Sequence, residues 1–469
     1  METESSIAAA PIVLPRARRL NFPALVCVIF FVVSGGAYGL EPLVGAVNAG
    51  WAVALVVVTP LVWSLPIALM VSELSSAMPV EGGYYVWVRE GLGDFCGVQE
   101  GFWTICYTAV DMAIYPVLFV NYLAYFYPAL ALDENSSAAW PAMLWRWLIA
   151  VTLIAAAFLI NCRGAHAVGR NAMFTTGLVL LPFAALVVYG FSQKGAATAT
   201  ANAVTHGLAN KSSAGLLALG ISTVLWNYCG WDNVSTFAGE VNDAGRNYPR
   251  ALLCALPLTV MAYLLPLLAG IAVTVDASVW NESAGWPVIA QLIGGRWLGF
   301  LVAAAALVSA WSLFNSQLLY VSRLPYAMAQ DGWLPAAFSK ISTRTGVPIV
   351  ALAASCIVSS LFAALPFGKL VVIDILLYSS ALLLEFLALI ALRRARPEME
   401  RGFRVPGGWF GLIFVTLAPM SCAAVVVAAS LYADDAEARQ TYIVALLIFS
   451  GTLLYLIRRK HANKMRLNI

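Results

Sequence analysis

Carboxylates are scarce in this chain, and several stand where water is scarcer still. Glu41, Asp111, Asp232, Asp374 and Glu385 fall within long apolar stretches of a sequence that is 61% hydrophobic and 11% charged; Glu73 and Glu240 stand at stretch ends. An acid at membrane depth is costly unless it faces a bundle interior or a wet cavity, where it binds an ion, a proton or a cationic ligand. Asp111 has no helix end nearby to explain it, so a functional role is the favoured reading. Glu41 and Asp232 each follow a glycine-rich break and have a competing explanation: Glu41 beside the positive end of a new half-helix, Asp232 as its N-cap. Asp374 and Glu385 lie toward opposite ends of one stretch and read first as interface or packing residues. On this basis Glu41, Asp111 and Asp232 are the candidate proton carriers. The three histidines, His166, His206 and His461, all fall in expected loops or the tail, which disfavours a histidine relay.

The breaks themselves are the next clue. SGGAYGLEP from Ser34 interrupts the first apolar stretch, and WNYCGWDN from Trp226 interrupts the sixth. Hydrocarbon offers no partner to freed N–H and C=O groups, so an interrupted span survives only where protein or a wet cavity satisfies them. Corresponding breaks in two chain halves point to the binding site of an inverted-repeat transporter. Gly35, Gly36 and Gly39 cluster with Ser34 more densely than close helix packing requires, and freed N–H groups there suit a substrate carboxylate. Tyr38, Tyr107, Trp226, Tyr228, Trp231 and Tyr378 lie near the breaks and could gate a site or embrace an ammonium group. Most of the 15 Trp and 18 Tyr are read as packing or interfacial anchors, and only Tyr38 and Trp231 sit inside the interrupted segments.

A mean hydropathy of +0.82 excludes a soluble globular class. About twelve spans emerge, at 20–46, 49–75, 96–128, 142–162, 168–191, 214–240, 251–275, 287–325, 347–366, 370–393, 408–432 and 441–458. They group as a tail at 1–19, a first repeat at 20–191, a second at 214–393, two further spans at 408–458 and a basic tail at 459–469. The first span is too long for a signal core and lacks a small-residue cleavage site. Lys and Arg crowd alternate connections, among them Arg89, Arg323, Lys340, the 393–404 cluster and both tails. Arg146, Lys194, Lys211, Arg296, Lys369 and Arg439 are the few on the other side. The positive-inside rule therefore puts both termini in the cytoplasm, in a plasma or inner membrane, with the 133–135 loop outside. The segment 82–93 mixes aromatics and charges and is expected along the cytoplasmic interface.

The 8 cysteines show no metal-type spacing, so neither a disulfide, a metal site nor a cofactor is expected. No catalytic motif appears in the spans and no nucleic-acid partner is indicated, which disfavours an enzyme. The expected partners are a small-molecule substrate, a proton and the bilayer.

Three motifs, MPVEGGYYVWV from Met78, LWNYCGWDNVSTFAGEV from Leu225 and SRLPYAMAQDGWLP from Ser322, resemble the amino acid–polyamine–organocation transporter superfamily. DMAIYPVLFVNYL from Asp111 and IDILLYSSALLLEFLALIALR from Ile373 are similar to its polyamine-uptake branch, itself close to the L-type amino acid transporters. The resemblance covers nearly the whole chain. It implies an all-α membrane protein of twelve helices with a LeuT-like five-plus-five inverted repeat and broken helices one and six. By position, Ser34, Gly35 and Gly36 would meet substrate through the backbone, Trp231 would gate, and Tyr378 would line the site from span ten. Two departures bear on coupling. The interior of RNAMFTTGLVLLP from Arg170 lacks the lysine of the proton-coupled branch, and VSAWSLFNSQ from Val308 lacks a Ser/Thr pair resembling a sodium site. The expectation is a secondary transporter of amino acids or polyamines, proton-coupled and leaning to a cationic substrate. A neutral amino acid carrier, an exchanger and a non-transporting sensor are the alternatives.

Overall fold

The computed structural model describes residues 22–78, 83–131, 139–163, 172–209, 214–233, 235, 244–280, 285–342, 345–431 and 435–467. The 1–19 tail, the 133–135 loop, His166, Lys211 and Glu240 lie outside the described residues. Every regular element among the described residues is a helix. Eight helical stretches are long and apolar enough to cross a bilayer, and a bent pair at Gly177–Ser192 and Ala196–Leu208 would make nine. The chain is therefore a multi-pass integral membrane protein.

Short helices flank each glycine break. Helix α1 (Phe22–Val33) stops at Ser34, and α2 (Glu41–Thr59) begins seven residues later. Asn48 divides α2 with a left-handed φ of 69°. Its Oδ1 accepts from the N–H groups of Gly50 at 3.1 Å and Trp51 at 3.3 Å, as an N-cap does. The few residues Glu41–Val47 thus belong to the interrupted first stretch. The helix from Ala49 continues through a π-turn at Pro60–Ser64 into α3 (Leu65–Ala77). Helix α4 (Gly83–Leu92) covers the amphipathic segment, and α5 (Asp94–Leu123) and α6 (Ala139–Asn161) follow. Tyr84, Tyr85 and Trp87 of α4 are buried against α5 and a later helix, so its aromatic face serves packing within the protein.

Helix α7 (Ala172–Ser192) bends by 96° into α8 (Ala196–Leu208), a helix whose Ala/Thr-rich sequence gave no apolar signal. The backbones of α2 and α8 meet at Gly50 and Gly207, where a Cβ has no room. Helix α9 (Ala214–Asn227) ends at the second break and α10 (Ala244–Ile271) follows it. The expected single stretch at 287–325 is instead two helices, α11 (Gly285–Gly294) and α12 (Arg296–Val321). Gly295, at φ 83°, donates its N–H to Gln291 O at 2.9 Å and closes α11. The remaining helices are α13 (Arg323–Gln330), α14 (Ile349–Phe362), α15 (Phe367–Ala395), α16 (Gly408–Leu431) and α17 (Asp435–Leu467).

Helices α5 and α15 form the centre, packed along each other's length. In their most apolar windows 78% and 67% of residues are buried, against 11% for Thr441–Arg459 of α17, which faces outward. At the end of the bundle carrying α4, Glu73 is fully buried and accepts from Arg393 Nε and Val405 N, both at 2.7 Å. Arg401 Nε lies 3.2 Å from the same carboxylate. Glu73 thus anchors the 393–404 basic cluster to α3, and Arg89 pairs with Asp331 at 2.5 Å nearby. This is the basic end of the molecule.

Candidate functional site

Tyr107, Asp111, Tyr115, Leu118 and Tyr122 recur along α5 at helical spacing and form one stripe. That stripe faces both breaks and, with parts of α12 and α15, encloses a cavity. The two Tyr rings at its basic end, Tyr107 and Tyr378, meet edge to face at 5.1 Å and form its floor.

The first break is held mostly by donors to its carbonyls. Ser309 Oγ donates to Gly35 O at 2.6 Å, Trp286 Nε1 to Ala37 O at 2.7 Å and Asn227 Nδ2 to Gly39 O at 3.4 Å. Several of its N–H groups are served as well: Gly39 donates to Tyr122 OH at 3.1 Å, Gly36 to Ser34 Oγ at 3.2 Å and Leu40 to Ala37 O at 3.3 Å. The second break is held partly through its own side chains. Tyr378 OH donates to Asp232 Oδ1 at 2.5 Å and Tyr107 OH to Asn233 Oδ1 at 3.1 Å, while Tyr263 OH donates to Asn227 O at 2.6 Å. Unwound backbone is tolerated here because these groups replace the lost helical bonds.

Asp111 accepts from Trp226 Nε1 at 3.0 Å and from Tyr115 OH at 3.2 Å; Gln317 Nε2 in turn donates to that hydroxyl at 2.6 Å. Asp374 also lines the cavity, is 2% exposed, and its Oδ1 has no hydrogen-bond partner among the described residues. No Lys, Arg or His is among the described residues lining the cavity. Two carboxylates in an aromatic chamber without a cationic side chain suit an ammonium group.

Five of the nine expected site residues, Ser34, Gly35, Tyr38, Asp111 and Tyr378, line this cavity. The other four stand one layer behind. Gly36 faces Val179, where a Cβ would come within 2.9 Å of Val179 Cγ1. Glu41 is separated from the cavity by Tyr122, whose hydroxyl donates to Glu41 Oε1 at 2.7 Å. Trp231 is fully buried, and Asp232 lies behind Tyr378. Asp374, Asn233, Ser309 and Gln317 line the cavity as well, outside the expected set. The available signal was spacing: Asp374 stands one turn before Tyr378 on the same face of α15.

Residues 20–452 match the family described as amino acid permease. The chain is 35% identical over 415 residues to "Polyamine transporter PUT1" of Oryza sativa subsp. japonica, covering 88% of this chain and 74% of that one. It is 32% identical over 412 residues to "Polyamine transporter RMV1" of Arabidopsis thaliana, covering 88% and 80%. An uncharacterized transporter of Legionella pneumophila is 26% identical over 437 residues, covering 86% and 89%.

Proposed function

The chain belongs to the amino acid permease family, and from that premise we propose that it carries a cationic amine, a polyamine or basic amino acid, across the membrane by proton-coupled alternating access. At the coarser level it is a transporter of amino acids or polyamines and not an enzyme. The observation that carries the cationic reading is the pairing of Asp111 and Asp374 in one cavity with no basic side chain lining it among the described residues. A zwitterionic amino acid brings its own carboxylate and needs no such pair, whereas a polyamine brings only cations. The plant relatives are named polyamine transporters, in agreement with this reading.

The proposed frame is twelve spans in a LeuT-like arrangement, with repeats at 20–191 and 214–393 and the basic end in the cytoplasm. Two breaks bordering one cavity support it. Spans one, two, six and seven rock against the rest, and the proton rides on Glu41, Asp111 or Asp232. Glu41 Oε2 is buried without a hydrogen-bond partner among the described residues, which suits a carboxyl that gains and loses a proton during the cycle.

The test is competition for labelled putrescine uptake into proteoliposomes by unlabelled putrescine, arginine and leucine, with and without an inward proton gradient. The proposal expects the amines to compete, leucine to be inert and the gradient to drive accumulation. Competition by leucine alone would assign a neutral amino acid, and binding without accumulation would assign a sensor. In a cysteine-free background, Lys369→Cys should label from outside with an impermeant thiol reagent and Lys340→Cys should not.

A further inference from the structure

The acids of the two central helices come in a mirrored register. On α5, Glu100, Thr104, Tyr107 and Asp111 stand at successive turns; on α15, Asp374, Tyr378, Ala381 and Glu385 do so in the opposite chain direction. Asp111 follows Glu100 by eleven residues, and Glu385 follows Asp374 by eleven. Eleven residues are three helical turns, so both acids of each helix face the same seam, ~16 Å apart along the axis at 1.5 Å per residue. Asp111 and Asp374 lie in the cavity, the Tyr107–Tyr378 floor comes next, and Glu100 and Glu385 lie beyond it toward the basic end.

Asp232 joins this inner pair from the second break, and the three carboxylates lie within electrostatic reach of one another. Glu100 is fully buried and Glu385 is 1% exposed. Thr104 donates to Glu100 Oε1 at 3.0 Å, but Glu100 Oε2 and Glu385 Oε2 are unpartnered among the described residues. A buried group that is not an acid lies near one of the three, Asp232. Tyr248 is fully buried, its hydroxyl is also unpartnered among the described residues, and it lies within electrostatic reach of Asp232. No Lys or Arg pairs with any of the three acids among the described residues, in contrast to Glu73 at the same end. Buried polar groups without partners mark a place where an absent partner belongs.

We propose that Glu100, Asp232 and Glu385 form a second ammonium site beneath the tyrosine floor, which receives the leading amine of a long linear polyamine once the floor parts. The inference rests on the cationic-amine reading and adds a length rule to it. A diamine occupies the cavity pair alone, while a tetraamine of spermine's reach spans both tiers and holds two carboxylate groups at once. Asp232 couples the tiers, because its Tyr378 hydrogen bond closes the floor while the inner site is empty and is the bond an arriving ammonium displaces.

Equilibrium competition of spermine and putrescine against labelled spermidine, on purified full-length protein, tests this. Wild type should favour spermine over putrescine by about tenfold or more, since a second charge-assisted contact is engaged. Glu100→Gln and Glu385→Gln should bring that ratio to about one, and Glu385→Asp should restore most of it, which separates charge from structural damage. An unchanged ratio in both glutamine variants would overturn the inner site. So would equal weakening of both amines with a moved pH profile, the mark of a proton site. If wild type bound none of the amines, the cationic reading would fail first and the inner tier with it.

Discussion

The two chain breaks solve one problem in different ways. Each exposes backbone at membrane depth, yet the first is fastened at its carbonyls by Ser309, Trp286 and Asn227, side chains from outside it. The second is fastened at one carbonyl by Tyr263 and also offers Asp232 and Asn233 to the tyrosines of the cavity floor. Gly36 at the first break is crowded by Val179, whereas a Cβ on Gly230 at the second would have its nearest neighbour at 3.5 Å. The first break is therefore clamped and crowded by its neighbours, and the second has more room and is tied to the cavity floor through Asp232.

Four substitutions sharpen that contrast. Gly36→Val should reduce uptake to background while the protein remains in the membrane, because a β-branched residue is forced into φ +99° against Val179. Wild-type uptake by this variant would show that the crowding at the first break does not matter to transport. Tyr378→Phe deletes the 2.5 Å bond to Asp232 and should slow transport by about tenfold, the scale of a hydrogen bond to a charged group. Gly230→Ala meets strain at φ +90° but little crowding, so its initial uptake rate should fall by roughly fivefold to tenfold. Ser309→Ala removes one of several clamps on the first break and should change the rate by only about threefold, the worth of a single neutral bond. A Ser309→Ala effect larger than that of Tyr378→Phe would invert the comparison.

The breaks were legible because glycine clusters with polar neighbours have no ordinary place in an apolar span, and Asp111 was legible because no helix end explains it. Asp374 was not, since an acid near a span end looks the same whether it meets a neighbouring helix or a cavity. Its assignment depends on which face of α15 meets α5, information carried by the i, i+4, i+11 register of two helices read together. Glu73 was visible as an acid at a span end, but its partners Arg393, Arg401 and Val405 are more than three hundred residues away. The division at Gly295 was hidden because α11 and α12 are both apolar and hydropathy averages across a single left-handed residue. Helix α8 escaped for the opposite reason: small residues pack it against Gly50, and close backbone approach leaves no hydropathy signal.

The central claim is that two cavity carboxylates select a cation. Binding of putrescine to purified wild type, Asp111→Asn and Asp374→Asn, measured calorimetrically beside leucine, tests it most directly. The account predicts saturable putrescine binding by wild type, no heat from leucine, and a loss of about tenfold to a hundredfold in each variant, as for the removal of a charged hydrogen-bond partner. Saturable leucine binding by wild type, with putrescine affinity unchanged in both asparagine variants, would contradict it.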